Sequence, residues 1–142
     1  MTKQQPIWHP ISKLSLIAYA IDGELEAVEE NTISLKESLN RPYSLDNALV
    51  ARVIRVYTEQ RDDIWLYEEQ LRRWKELSLT PSQQKEVNRL NSQVEKLKKL
   101  LDGILSLADE LKQNTIETLL NKSDGEVGIE FLLGIKKPKN VK

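Results

Sequence analysis

Two pairs of carboxylates are the residues best placed to do chemistry in this chain. Glu26 and Glu29 stand three apart in one segment, and Glu59 and Asp62 stand three apart in the next. On helices, a three-residue step puts both members of a pair on one face. Carboxylates from two facing helices can hold Mg²⁺ through oxygen ligands and so grip a substrate's phosphates. Asp22 and Asp63 lie near the same heights. Other chemistry is thinner. His9 is the sole histidine and there is no cysteine. That removes disulfides, thiolate metal sites and a cysteine nucleophile. A di-iron bundle needs a Glu-x-x-His pair from each of two helices, which one histidine cannot supply. A Ser-His-Asp arrangement would have to run through His9, on a short arm between Trp8 and Pro10. His9 is therefore read as a surface or capping residue.

The Glu26-x-x-Glu29 and Glu59-x-x-Asp62 pairs resemble the Glu-x-x-Glu…Glu-x-x-Asp pattern of MazG-type all-α nucleotide pyrophosphohydrolases. The resemblance covers these four residues. It implies a Mg-dependent enzyme, with Mg²⁺ as its cofactor and these four side chains as metal ligands. The plainer reading is a solvated acidic face, with Glu29 or Glu30 pairing Arg55 and with Asp22 or Glu24 near Arg61. Exposed pairs of that kind contribute ~0–1 kcal/mol each. Outside the resemblance, no catalytic residue and no cofactor site is read.

Basic clusters offer a third chemistry. Arg72-Arg73-Trp74-Lys75, Lys96-x-Lys98-Lys99 and the Lys136-Lys137-Pro138-Lys139 tail can neutralise phosphates, and an interleaved tryptophan can stack on a base. Glu68, Glu69 and Glu76 surround the first cluster, and Glu95 and Asp102 flank the second. With 21 basic against 22 acidic residues the net charge is −1, which predicts no strong field for nucleic acid or anionic lipid. A weak nucleic-acid-binding module remains a lesser alternative. No stretch approaches the ~20 apolar residues that span a bilayer, and the start has no apolar signal core, so a cytoplasmic protein without membrane contact is expected.

What must position these residues is a set of heptad-like helices. At 142 residues the chain suits one domain. Residues 1–10 read as an irregular lead. Helix one is expected over 11–39, with the stripe Leu14, Ala18, Ile21, Leu25, Val28, Thr32, Leu35, Leu39. Gly23 inside it suggests a close helix–helix approach. After a break at Asn40–Tyr43, with Ser44 as its N-cap, helix two is expected over 45–77. Its stripe is Val50, Val53, Tyr57, Gln60, Ile64, Tyr67, Leu71, Trp74. Helix three is expected over 80–121 and about 60 Å long. It opens on a capping box, Thr80 with Gln83, and Pro81 at the first helical position. Its stripe is Val87, Leu90, Val94, Leu97, Leu101, Ile104, Ala108, Leu111. A short helix over 124–135 and a basic tail over 136–142 complete the reading.

Four-three steps bury a stripe against neighbouring helices. Short connections then imply an all-α, antiparallel, up-down-up bundle of three long helices, with the short helix as a fourth element. An aromatic cluster of Trp8 and Trp74, with Trp65 on a flank, is expected at one end. Toward the other end, helix three carries apolar residues beyond its stripe: Leu100, Leu105 and Leu107. Val127 and Phe131, on the short helix, or a second copy of the chain are expected to cover them. The function this implies is non-catalytic protein–protein association, beginning with self-association into a homodimer or with a helical partner.

Overall fold

The computed structural model describes residues 5–41 and 46–113. All regular structure among them is helical, with no strand. A 3₁₀ turn, Ile11–Lys13, leads into α1, Leu14–Leu39. Then come α2, Asn47–Asp62, α3, Ile64–Lys75, and α4, Pro81–Lys112. The expected short helix over 124–135, the tail, and the last turns of helix three lie outside the described residues.

Every stripe position expected on α4 is buried, from Val87 to Leu111. On α1, Ala18, Ile21, Leu25, Val28 and Thr32 are buried, and Leu14 and Leu35 are half-buried against them. On α2 and α3 the buried members are Val50, Ile64, Leu71 and Trp74, with Tyr57 and Tyr67 half-buried. The hydroxyl of Thr32 lies in the core without penalty because it donates to the Val28 carbonyl, 2.8 Å away.

Three local expectations are revised. The 45–77 segment is two helices rather than one. At Asp63 the N–H reaches both the Glu59 and Gln60 carbonyls, at 3.1 and 3.2 Å, and Leu66 N–H bonds back to the Asp63 carbonyl at 3.0 Å. That single turn is tightened to a three-residue closure, where two adjacent aspartates sit at the negative end of α2. The cap of α2 is Asp46, whose side chain accepts from Leu49 N–H at 2.8 Å, and not Ser44, which lies outside the described residues. Gly23 makes no close helix contact: a Cβ built there meets nothing within 4 Å. The capping box at Thr80 and Gln83 forms in both directions, at 3.1 and 3.0 Å.

The helix pairings follow from side chains that cross between elements. Arg89 of α4 holds Asp22 of α1, and Leu14 and Ser15 share a groove with Ser82, Lys85 and Glu86, so residue numbers rise together along α1 and α4. Arg61 pairs with Asp102 and Glu68 with Lys98, so numbers run oppositely along α2–α3 and α4. This register lies about one turn further along α4 than a reversal centred on 78–80 would give. The reason is the non-helical run from Leu77 to Thr80, since extended residues advance about twice as far as helical ones. Both α1 and α2–α3 lie closely along α4 and less closely along each other.

Candidate functional site

Glu26 and Glu29 project from α1, and Glu59 and Asp62 from α2, all four exposed. Among the described residues no three His, Asp or Glu side chains stand close enough together to hold a metal ion. The four carboxylates are thus not gathered into the Mg²⁺ cradle that the pyrophosphohydrolase resemblance implies. The expected cross-helix ion pairs also differ. Asp22 is held by Arg89 at 2.9 Å and by Gln93 at 3.1 Å. Arg61 turns to Asp102 at 2.8 Å. Both partners come from α4 because α4 is the helix against which α1 and α2 are laid. The Arg89 guanidinium lowers the Asp22 carboxyl below its ordinary range, more than its partial burial raises it.

The basic clusters are engaged by neighbouring acids. Arg72 bonds Glu69 and Glu76, both at 2.6 Å, and Arg73 bonds Glu69 at 3.0 Å. The charge-assisted bonds from Arg72 bring the Glu69 carboxyl down to about 2. Lys98 bonds Glu68 at 2.9 Å. Trp74, the tryptophan interleaved among these arginines, is buried in the core. It presents no face on which a base could stack. The Lys136–Lys139 tail lies outside the described residues.

The most elaborate polar arrangement is structural. The arm before α1 crosses α3, and His9 contributes its backbone rather than its ring. Its N–H donates to Gln70 Oε1 at 2.7 Å, while its carbonyl accepts from Gln70 Nε2 at 3.2 Å and from Trp74 Nε1 at 2.9 Å. Trp8 meets Trp65 edge to face at 6.2 Å and lies under the Arg73 guanidinium at 4.5 Å. The expected aromatic cluster is present, with Trp74 taken into the core and Trp65 left half-exposed. Nothing in sequence singled out Gln70, because a glutamine one turn before a buried tryptophan reads as a surface residue.

The flanking apolar residues of α4 are placed by the same register. Leu100 and Leu107 follow Gln93 at steps of seven, on the flank that reaches Asp22 of α1. Leu105 follows Lys98 by seven, on the flank that reaches Glu68 of α3. All three are half-buried, and Leu100 and Leu105 pack against the core. They widen the stripe so that α4 serves a neighbour on each side. Val127 and Phe131 lie outside the described residues. The large apolar side chains that stay exposed are elsewhere: Leu16, Tyr19 and Ile33 on α1, Leu49 and Val56 on α2, and Trp65 on α3. Leu49 and Val56 are seven apart, a second apolar repeat legible in the sequence beside the stripe that was followed.

One remaining titratable group is perturbed inside the bundle. Burial, and then the neighbouring Glu24 carboxylate, raise the Tyr67 hydroxyl well above its ordinary range. A protonated tyrosine at neutral pH is a hydrogen-bond donor rather than a base. Open grooves of about 490 Å³, by Ala51, Ile54 and Lys112, and about 520 Å³, by Leu14, Lys85 and Arg89, bring together no nucleophile and base. No helix among the described residues is long and apolar enough to cross a membrane. Compared with protein-family models, with curated proteins and with solved structures, the chain finds no match.

Proposed function

We propose that this chain is a non-catalytic helical-bundle protein that acts through protein–protein association, in the first place with itself. The reading takes the architecture as an up-down-up bundle of α1, α2–α3 and α4, at home in the cytoplasm. One observation carries it. The chain fills its own core along all of α4, yet leaves Leu16, Ile33, Leu49 and Val56 each more than 40% exposed on the outer faces of α1 and α2. Single exposed apolar residues are ordinary, but two helices that both carry them on outward faces suit a helical neighbour. Closed two-fold dimers are the commonest form such an association takes.

Sedimentation equilibrium at micromolar concentration tests this reading. Twice the chain mass of 16.4 kDa is the expected result; one chain mass at every concentration overturns it. A separate measurement keeps the enzymatic alternative answerable. A melting shift with millimolar Mg²⁺ and a nucleoside triphosphate, lost on Glu26→Gln, would replace association with Mg-dependent hydrolysis; the expected result is no shift.

A further inference from the structure

The seam between α1 and α2 is where the bundle is least closed. Asn31 Nδ2 donates to the Tyr57 hydroxyl across it. Nearer the other end the arm lies over α3, through His9 on Gln70. From Asn31 and Tyr57 toward the end of α1 no described segment crosses the seam. The surface it leaves has a definite pattern. On α1, Ala27 and Ser34 stand seven apart beside Asn31 and are exposed. Across from them on α2 are Leu49 and Val56, 44% and 42% exposed. The middle of this face therefore holds no charge.

Its two edges carry opposite charge. Glu30 and Glu37, seven apart, border the face on the side of α1 turned away from α2. Arg52 and Arg55 border it on the side of α2 turned away from α1. All four are exposed, and none forms an ion pair or hydrogen bond within the described chain. Elsewhere arginines are bound to acids: Arg61, Arg72, Arg73 and Arg89 each hold one or two. The lower half of this face thus has free acids on one edge and free arginines on the other.

We propose that a second copy of the chain covers this face, related by a two-fold axis parallel to the helices. This rests on the self-association reading above and specifies its surface. An axis in that direction lays α1 of each copy along α2 of the other, at equal heights and in opposite senses. Asn31 and Tyr57 mark one height. Descending six residues along α1 to Glu37 corresponds to position 51 on α2, beside Arg52. Glu30 corresponds to position 58, within one turn of Arg55. Acid then meets base on both edges, and Leu49 and Val56 meet the partner's Ala27 and Ser34, whose small side chains allow close approach. A two-fold axis perpendicular to the helices would set Glu37 against Glu37 and Arg52 against Arg52, which is repulsive. Glu59 marks the upper limit of the contact, because it falls at the height of the partner's Glu30. The interface accordingly occupies the half of the seam from Ala27 to Ser38 and from Leu49 to Val56.

The test is a charge-reversal exchange followed by sedimentation velocity, with circular dichroism confirming that each variant keeps its helix content. The wild-type chain is expected at two chain masses. The Glu30→Arg/Glu37→Arg variant and the Arg52→Glu/Arg55→Glu variant are each expected at one, with dissociation constants raised at least roughly tenfold. Mixing the two restores a two-chain species. Should either reversal variant lose helix content, Glu37→Gln and Arg52→Gln take its place and are expected to weaken the dimer by a smaller factor. A wild-type dimer indifferent to these changes overturns this face and leaves self-association standing. A wild-type monomer overturns both, and so does no other outcome. Reversal variants that fail to re-associate on mixing overturn the pairing. Because the chain has no cysteine, Ser34→Cys gives a clean maleimide probe, expected to be shielded at high concentration and reactive on dilution. Shielding at all concentrations in a single-chain species would mean that the chain covers the seam itself, and would overturn the proposal.

Discussion

Gln70 grips the peptide group of His9 from both sides, donating to its carbonyl and accepting from its N–H. A buried amide doing this satisfies four polar groups at once, so truncating it strands the backbone it served. Gln70→Ala is expected to cost about 1–3 kcal/mol in urea unfolding, and to speed exchange of the His9 amide. His9→Ala keeps the same backbone bonds and should stay within ~0.5 kcal/mol. Equal effects from the two variants would contradict the arm's attachment as described. Glu69 supplies a pH prediction at the same scale. Its carboxyl lies at about 2 in the folded chain, against 4.5 for a free side chain. A depressed carboxylate contributes stability above its unfolded value and loses it as pH falls through its folded one. The Arg72 contribution should therefore fade between ~4.5 and ~2, and Asp22, lowered by Arg89, should follow in the same direction. Carbon-13 carboxyl titration by NMR checks this, with the Glu69 midpoint moving up toward its ordinary range in Arg72→Ala.

Helices in this chain are specified by their ends and weakened in their middles. The start of α4 is sharp because Thr80, Pro81 and Gln83 each satisfy or dispense with an N–H that the helix itself cannot pair. Thr80→Ala should cost about 1 kcal/mol. Gly23 and Gly103 lie within α1 and α4, with open space where a Cβ would go. Neither is held by packing, so Gly23→Ala and Gly103→Ala should each stabilise the chain by roughly 0.5–1 kcal/mol. Thermal melts of the three variants, two rising and one falling, test the assignment. A loss of stability at Gly23 would mean that a neighbour approaches there after all. The helix ends and the α4 stripe were legible in the sequence because caps and heptads are local. The break at Asp63 was not, since the tightened turn leaves the apolar period unbroken on both sides.

At the scale of the whole molecule, α4 is the shared wall and the outer faces of α1 and α2 are the free ones. Leu97 is fully buried on that wall, and Leu97→Ala should cost about 2–5 kcal/mol. Leu49, 44% exposed, should behave oppositely. Leu49→Ser is expected to change unfolding of the dilute chain by less than ~0.5 kcal/mol and to weaken association at high concentration. If Leu49→Ser unfolds the dilute chain, its side chain belongs to the core of one molecule and not to a contact between two.

The sequence by itself determined the helix class, the buried stripes of all three long segments and the Thr80 cap, because each depends on neighbours three or four residues away. It could not decide which flank of a stripe faces which partner. Leu100, Leu105 and Leu107 read as surplus only while α4 was given a single neighbour; the tertiary structure sets α1 on one flank and α2–α3 on the other. Nor could it decide that Glu26, Glu29, Glu59 and Asp62 face outward as separate pairs. Periodicity places carboxylates at similar heights on two helices, but the rotation of each helix about its own axis fixes whether they meet. That rotation is set by where the apolar stripe finds cover, and here both stripes find it against α4.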